Sequence, residues 1–200
     1  MSDFVLIRKS GLGLAELVIE NWEGFSLLEM ENEPKYWISV SGSSEKFNAA
    51  VKKTFLCELP ENGRFAVGGT STKPCRIAAT GPGQWLLIGY SGKIPVAIKK
   101  LAAITDQSDG WVGWHLAGDK VRTVLEKLIG LDLHPSEFTG GSAARTSLEA
   151  MPAILLCEDT DAGQFVLYSQ RSYARDFAER IRQAAYSACG EQVQVEQDGD

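Results

Sequence analysis

Apolar and polar positions in the first half of the chain change their spacing twice, which predicts strands and helices in turn. Residues 25–31 and 36–40 mix alternation with apolar bulk and flank a Pro-containing turn, so they predict a strand hairpin. The apolar positions then recur every three or four residues, which predicts a helix capped by Ser43 or Ser44. The other elements predicted for this half are a helix end near Pro60, a loop over 60–74, a hairpin of 75–79 with 84–90, and a short helix over 94–103.

The same pattern starts again in the second half. Two strands are predicted around the turn signature Asp109-Gly110, and a helix follows with Asp119 as its N-cap. A second Gly-rich loop precedes two further strands and a last helix with one apolar stripe. These elements cover residues 104–108, 111–116, 119–129, 139–142, 143–157, 164–170 and 173–188.

Matching motifs in the two halves indicate an internal duplication. The motif Thr80-x-x-Gly83-Gln84-Trp85-x-Leu87 recurs as Thr160-x-x-Gly163-Gln164-Phe165-x-Leu167, and an earlier strand in each half ends at Ser41-Gly42 or Ala117-Gly118. Chance likeness between common strand-turn sequences is the alternative, but each match occurs at the same place in its half. We therefore predict an α+β fold of duplicated β-β-α-β-β-α units, with mainly antiparallel sheets covered by helices. The predicted divisions are an amino-terminal arm (1–24), a first repeat (25–102), a second repeat (103–190) and an acidic tail (191–200).

Charge and cysteine content narrow the class of protein. The formal net charge is −6, and the longest Lys/Arg clusters are pairs, so the chain lacks the basic surface that nucleic-acid binding requires. No stretch approaches the roughly 18 apolar residues of a membrane span, and the amino terminus does not have the pattern of a signal peptide. The four cysteines are scattered, which favours reduced thiols and a cytoplasmic protein over a secreted disulfide framework.

No motif for a nucleotide or a metal ion is complete. Gly11-Leu12-Gly13 has Glu16 where a dinucleotide loop needs its third glycine, and that carboxylate would repel a pyrophosphate. His115 and His134 have no second ligand at metal-binding spacing, so packed or surface-bonded imidazoles are expected. A Cys–His nucleophile pair formed by residues distant in the chain stays open as an alternative, although nothing marks a cysteine as activated.

Three aspartates are candidates for an acid/base pair. Asp106 ends a strand, Asp109 fits a turn, and Asp132 follows a helix, so turn and cap roles are favoured over catalysis. The residues alone thus predict no catalytic, cofactor or metal site in this chain.

The order of several motifs resembles a known family. Asp106-x-Ser108, a strand ending Leu116-x-Gly118, a helix, and Asp132 resemble a passage in the folate-binding superfamily of the glycine-cleavage T-protein. A nearer resemblance, over roughly residues 25–188, is to the gamma subunit of heterotetrameric sarcosine oxidase. Its strongest stretches are Thr80 to Leu87, Ala144-Arg145-Thr146 and Arg171-Ser172-Tyr173-Ala174. The residues that mark the fold in this resemblance are Gly42, Gly83, Gly118, Asp132 and Gly163.

The resemblance implies a non-catalytic structural subunit that packs against a large, alpha-type subunit. The complexes of that family demethylate sarcosine oxidatively to glycine, form hydrogen peroxide and pass the one-carbon unit to tetrahydrofolate. The resemblance also implies that partner subunits hold NAD, FAD, FMN, tetrahydrofolate and zinc, and that this chain holds no cofactor. The alternatives are a freestanding tetrahydrofolate-binding, aminomethyltransferase-like protein, and an interaction module of an unrelated pathway.

Arg145, Arg171 and Ser172 lie where the resemblance is strongest. Arg145 lies near the start of a strand whose other residues are predicted to enter the core. Arg171 lies at the start of a helix, where a positive charge opposes the macrodipole. Such locally disfavoured arginines serve either an internal ion pair or a contact between subunits.

Overall fold

The computed structural model describes residues 10–14, 17–40 and 44–193. Within them the strands are β1 (Ile19–Trp22), β2 (Phe25–Glu29), β3 (Lys35–Ser39), β4 (Phe65–Thr70), β5 (Lys73–Gly81), β6 (Gln84–Ile88), β7 (Ala103–Asp106), β8 (Trp111–Ala117), β9 (Ala143–Leu148), β10 (Met151–Asp159) and β11 (Gln164–Gln170). The helices are α1 (Ser44–Phe55), α2 (Val96–Lys99), α3 (Val121–Glu126) and α4 (Ala174–Cys189), and a 3₁₀ turn, Arg171–Tyr173, precedes α4. The predictions at Glu16, Ser41-Gly42, Ser43 and residues 194–200 lie outside the described residues.

The strands form two antiparallel sheets. One has the order β1-β2-β8-β11-β10-β9 and the other β4-β5-β6-β3-β7. Buried side chains of both sheets share one apolar cluster, so the sheets pack face to face. Helices α3 and α4 cover the outer face of the six-stranded sheet, and α1 and α2 cover that of the five-stranded sheet. The predicted α+β class with antiparallel sheets and covering helices is confirmed.

This layering explains the apolar runs in the central strands. Leu86 belongs to the cluster between the sheets, whereas its neighbour Leu87 packs under the helices. Successive side chains of a strand point to opposite faces, so a strand covered on both faces needs apolar residues at nearly every position. The runs in β6, β10 and β11 follow from this burial. No described helix is long and apolar enough to cross a membrane.

The strands of the two repeats match closely. Strands β4 and β9 have six residues each, and β5 and β10 have nine each. The later pair follows the earlier one at a constant separation of 78 residues, the separation of Arg64 from Ser142. The amide of Phe65 donates to the carbonyl of Gly141, and that of Ala143 donates to the carbonyl of Gly63, both at 2.9 Å. This reciprocal pair of bonds places a pseudo-twofold axis between the repeats.

Each repeat contains one strand more than the sequence predicts, so the unit is β-β-α-β-β-β-α. The predicted loop over 60–74 contains β4, whose Gly68-Gly69 pair hides its strand character because glycine is depleted in strands. The single strand predicted over 143–157 is two strands, β9 and β10. They meet at a tight turn where Glu149 has a positive φ of 50°.

The predicted hairpin of residues 25–31 with 36–40 is wrong, because β2 and β3 belong to different sheets. Strand β2 pairs with β8 of the second repeat, and β7 of the second repeat pairs with β3 of the first. The repeats therefore exchange their first strands, and the strands flanking Asp109-Gly110 also separate into the two sheets. Turn residues report only that the chain reverses, whereas burial of both apolar faces selects the partner strand.

The helix boundaries differ from prediction at two places. Helix α2 is a single turn followed at once by β7, so the predicted helix over 94–103 is too long. Lys120, not Asp119, is the N-cap of α3 and makes no side-chain cap bond. Its amide donates to the carbonyl of Gly24 at 2.9 Å, so the β1–β2 turn contacts the start of this helix directly. In the predicted arm (1–24), residues 19–22 form β1.

Two of the fold-marking glycines, Gly83 and Gly163, lie at equivalent turns of the two repeats. A Cβ on Gly163 would lie 2.4 Å from the carbonyl oxygen of Gly118, and one on Gly83 would lie 3.1 Å from that of Val40. Val40 is thus the counterpart of Gly118 at this turn.

The threonines of the repeated motif are not equivalent. Ala79 pairs with Trp85 and Cys157 with Phe165, so the second turn is two residues longer. Thr80 occupies a bulge in β5, and its buried hydroxyl has no hydrogen-bond partner among the described residues.

Candidate functional site

Arg145 links the two sheets through an aromatic ring. Its side chain is exposed on β9, an edge strand of the six-stranded sheet, and its guanidinium carbon lies 5.3 Å from the ring centroid of Trp37 on β3. Trp37 in turn stacks on Trp111 with centroids 6.2 Å apart. Arg145 makes no ion pair with any described residue, so a cation–π contact takes the place of the expected internal ion pair. A contact with another subunit remains a prediction.

Arg171 connects the turn at Asp109 to the amino-terminal segment at Ser10 through hydrogen bonds. Its Nε donates to the carbonyl of Asp109 at 2.9 Å, its Nη1 donates to the carbonyl of Ser10 at 3.3 Å, and its backbone amide donates to Gly110. The side chain therefore bonds neutral carbonyl oxygens, not a carboxylate. The neighbouring Ser172 is exposed, and a role for it or for Arg171 between subunits remains a prediction.

Beside Arg171 lies a cavity of about 210 Å³ under the amino-terminal segment. Its floor holds the carboxylate of Glu29, which is only 1% exposed. Glu29 accepts hydrogen bonds from the amides of Gly11 and, at 3.5 Å, Val18. The sequence analysis missed this residue, although a signal exists. Glu29 lies on the same face of β2 as the buried Phe25 and Leu27. The carboxylate fixes the incoming segment against the sheet.

Charged and polar groups also lie between the two sheets. The hydroxyl of the fully buried Tyr168 donates to Glu33 at 3.0 Å, and Arg76 pairs with Glu158 at 2.5 Å. Burial, and then the nearby carboxylate of Glu33, raise the pKa of Tyr168 well above its ordinary value. The buried ammonium of Lys35 lies 5.9 Å from the Tyr168 ring and donates to the side-chain oxygen of Asn32 and to the backbone carbonyl of Glu33. The Arg76–Glu158 ion pair joins β5 to β10, and the Tyr168–Glu33 hydrogen bond joins β11 to the segment before β3.

Burial raises the pKa of all four thiols, which disfavours the reactive thiolate form. Burial raises the pKa of Cys57 to about 11, which keeps it a thiol at neutral pH. His134 bonds Ser136 through Nδ1 at 2.9 Å, and His115 is half-buried on β8. Among the described residues, no three His, Cys, Asp or Glu side chains are grouped to hold a metal ion.

The three candidate aspartates occupy local turns. Asp106 accepts bonds from the hydroxyl of Ser108 at 2.6 Å and from its amide at 2.9 Å, and these bonds lower the pKa of Asp106. Asp132 accepts the amide of His134 at 2.9 Å. The structure does not bring Asp106, Asp109 and Asp132 together by any hydrogen bond between them.

No protein-family model and no curated protein sequence matches this chain. Solved structures do. A chain of the heterotetrameric sarcosine oxidase from Corynebacterium sp. U-96, in complex with pyrrole 2-carboxylate, superposes with a TM-score of 0.73 and 20% identity. The match covers 94% of this chain and 98% of that one, so the two share one fold over nearly their whole lengths. The predicted resemblance is confirmed at the level of the fold.

A second solved structure extends the fold to the T-protein group. The glycine cleavage system aminomethyltransferase T from Bartonella henselae superposes with a TM-score of 0.59 and 12% identity. The match covers 79% of this chain but only 45% of the aminomethyltransferase. This chain therefore corresponds to part of that enzyme, and to the whole of the oxidase chain.

Proposed function

We propose that this chain is the small, gamma-type subunit of a heterotetrameric sarcosine oxidase complex and that it acts as a non-catalytic structural subunit. The observation that carries the proposal is the reciprocal coverage of the oxidase chain, 94% of one and 98% of the other. A fold that one subunit of an assembly matches over nearly its whole length suits the same place in a similar assembly.

The disposition of the polar side chains supports a structural role. Glu29 and Arg171 bind the amino-terminal segment, and Tyr168 and Arg76 bind partners across the sheet interface. Side chains that make such internal bonds stiffen the structure, and a rigid body suits a scaffold.

The chemistry of the complex belongs to the proposal as a whole. In the proposed complex, partner subunits hold NAD, FAD, FMN, tetrahydrofolate and zinc and demethylate sarcosine to glycine in the cytoplasm. This chain packs against the large, alpha-type subunit and binds neither nucleic acid nor membrane.

Co-expression with candidate partners tests the subunit role. The tagged chain is expressed together with candidates for the other three subunits from the same organism, and the purified material is examined by light scattering and flavin absorbance. We expect a stoichiometric complex that carries flavin and oxidises sarcosine, whereas the chain alone is colourless and inactive. A yellow isolated chain, or a flavin-bearing oxidase that assembles to full activity without this chain, would contradict the proposal.

The aminomethyltransferase match favours a second candidate, a freestanding tetrahydrofolate-binding protein. Calorimetric titration of the isolated chain with a reduced folate distinguishes the two. Saturable one-to-one binding with a Kd in the micromolar range would favour this candidate, and absence of heat would remove it.

A further inference from the structure

The exchange of first strands gives the two sheets equivalent edges, and only one of these is covered. Met30 donates its amide to Gly113 at 2.9 Å, and Gln107 donates to Lys35 at 2.8 Å, so β2 lies on β8 as β7 lies on β3. Met30 and Gln107 are therefore equivalent positions in the two sheets. Three residues before them, Leu27 and Ile104 are equivalent in the same way. In the six-stranded sheet the outer edge of β2 is paired with β1. In the five-stranded sheet no described strand pairs with the outer edge of β7.

The uncovered edge presents backbone groups that can pair. Alternate residues of an antiparallel strand point their N–H and C=O groups to opposite sides. Because the amide of Gln107 points toward β3, those of Ile104 and Asp106 point away from it. Their counterparts in β2 are used: Glu29, the equivalent of Asp106, donates to Val18 at 2.8 Å.

A groove accompanies this edge and has room for side chains. It runs between α2 and β7 and is lined by Tyr36, Ile94, Val96, Lys99, Ala102 and Ile104, among others. Ala102 holds the position of Phe25, whose ring packs 5.5 Å from that of Trp22 on β1. The smaller alanine leaves space for a large apolar side chain in the added strand.

Charge indicates what the added strand carries. Glu20 of β1 pairs with Arg182 of the covering helix α4 at 2.8 Å. Beside β7 the corresponding helix α2 ends in exposed Lys99, and Lys93 lies exposed at the groove. Neither lysine makes an ion pair with a described residue. A carboxylate in the added strand would complete the arrangement that Glu20 and Arg182 show in the other sheet.

We propose that the outer edge of β7 binds an extended, acidic and apolar segment of a partner protein as a sixth, antiparallel strand. The segment places a carboxylate near Lys99 and a large apolar side chain over Ala102. The proposal deepens the proposed function, on which it rests for taking the partner to be another subunit. A second copy of this chain is a poorer occupant, because β7 pairing with β7 would bring the lysines of both copies together on one face.

A peptide that carries the sequence of β1 tests the edge without any partner subunit. The probe is a capped peptide of residues 17–24, and the readout is amide hydrogen exchange of the full chain, followed residue by residue by NMR. At about 90% occupancy we expect the Ile104 and Asp106 amides to exchange about tenfold more slowly, while Thr105, already bonded to β3, is unchanged. The same peptide N-methylated at Glu20, whose amide faces the paired strand in β1, should not bind, whereas N-methylation at Asn21 should be tolerated.

Charge variants test the groove. We expect Lys99→Glu to weaken binding about threefold to tenfold, and Lys127→Glu, an exposed lysine in the other repeat, to leave it unchanged. Unchanged Ile104 exchange at the solubility limit of the peptide would overturn the proposal. Protection that rises with concentration of the chain alone would also overturn it, in favour of a second copy. Failure of the co-expression experiment with a positive peptide result would reject the oxidase complex but keep the edge site.

Discussion

The two repeats of this molecule keep their strands and differ in their helices. Strands β4 and β5 have the same lengths as β9 and β10, whereas α1 has 12 residues and α3 has 6, and α2 has 4 and α4 has 16. The strands carry the apolar cluster between the sheets, which side chains of both repeats form together. The helices only cover the outer faces, so their lengths are free to change as long as apolar area stays buried.

Removing one large side chain from each outer cover gives the largest expected effect. Phe177 on α4 and Ile98 on α2 are both fully buried. We expect Phe177→Ala to lower the free energy of unfolding by about 3–5 kcal/mol and Ile98→Ala by about 2–4 kcal/mol, because each leaves a cavity. Urea denaturation followed by circular dichroism measures both losses.

Tyr186→Ala is the matched control, since Tyr186 lies on α4 but is 63% exposed. We expect a loss below about 0.5 kcal/mol there. Equal losses for Tyr186→Ala and Phe177→Ala would mean that α4 does not pack on the sheet as described.

The same contrast between strands and helices shows what the sequence could reveal. The last helix and the strand over 164–170 are predicted within about a residue, because their apolar periodicities are long and regular. Strands β1 and β4 are not predicted. Strand β1 is exposed or half-buried at three of its four positions, and β4 contains Gly68-Gly69, so neither shows a regular apolar pattern.

The exchange of first strands could not be read from local signals. The turn between β2 and β3 has proline, and the turn between β7 and β8 has Asp-Gly, yet both connect strands of different sheets. The site residues show the same limit. The sequence marks Arg145 as locally disfavoured, but its contact with Trp37 joins strands far apart in sequence and depends on the packing of the two sheets.

Tyr168→Phe tests whether polar contacts hold the shared strands together. The variant keeps the ring and removes the hydrogen bond to Glu33, so we expect unfolding to become easier by about 1–2 kcal/mol. Tyr173→Phe, at a 39% exposed side chain, serves as the control. An unchanged stability would show that water or another group satisfies Glu33 equally well.

The pH dependence of the same pair of proteins sharpens this test. The pKa of Tyr168 is raised in the folded state by burial, so the folded protein keeps this proton after the unfolded chain has lost it. The contribution of Tyr168 to the free energy of unfolding is complete below about pH 10. Above that pH it falls by about 1.4 kcal/mol per pH unit. We expect the stability difference between Tyr168→Phe and the original chain to shrink as pH rises from about 10 to about 11, measured by denaturant titration. A difference that stays constant would place the titration elsewhere.

Arg145 gives a smaller effect that separates its two possible roles. We expect Arg145→Ala to cost about 0.5–1 kcal/mol through loss of the contact with Trp37, and Arg175→Ala, exposed on α4, to cost less than about 0.3 kcal/mol. If Arg145 also contacts a partner subunit, Arg145→Ala will weaken assembly in the co-expression experiment by more than its loss of stability explains. Assembly equal to that of Arg175→Ala would leave Arg145 with a role inside this chain alone.

The smallest effect concerns the cysteines of the two repeats and leaves stability unchanged. Cys57 follows α1 and Cys189 ends α4; both are half-buried, and burial raises the pKa of both thiols. Because the thiolate is the reactive form, alkylation of Cys57 by iodoacetamide should be slow at about pH 8 and rise about tenfold per pH unit toward its pKa of about 11. Peptide mass spectrometry of the folded chain reports each cysteine separately, and the urea-unfolded chain is the control, in which the rate should level off near about pH 9. Rapid labelling of folded Cys57 at about pH 8 would show an activated thiol, and would give the first repeat a chemistry that its buried surroundings argue against.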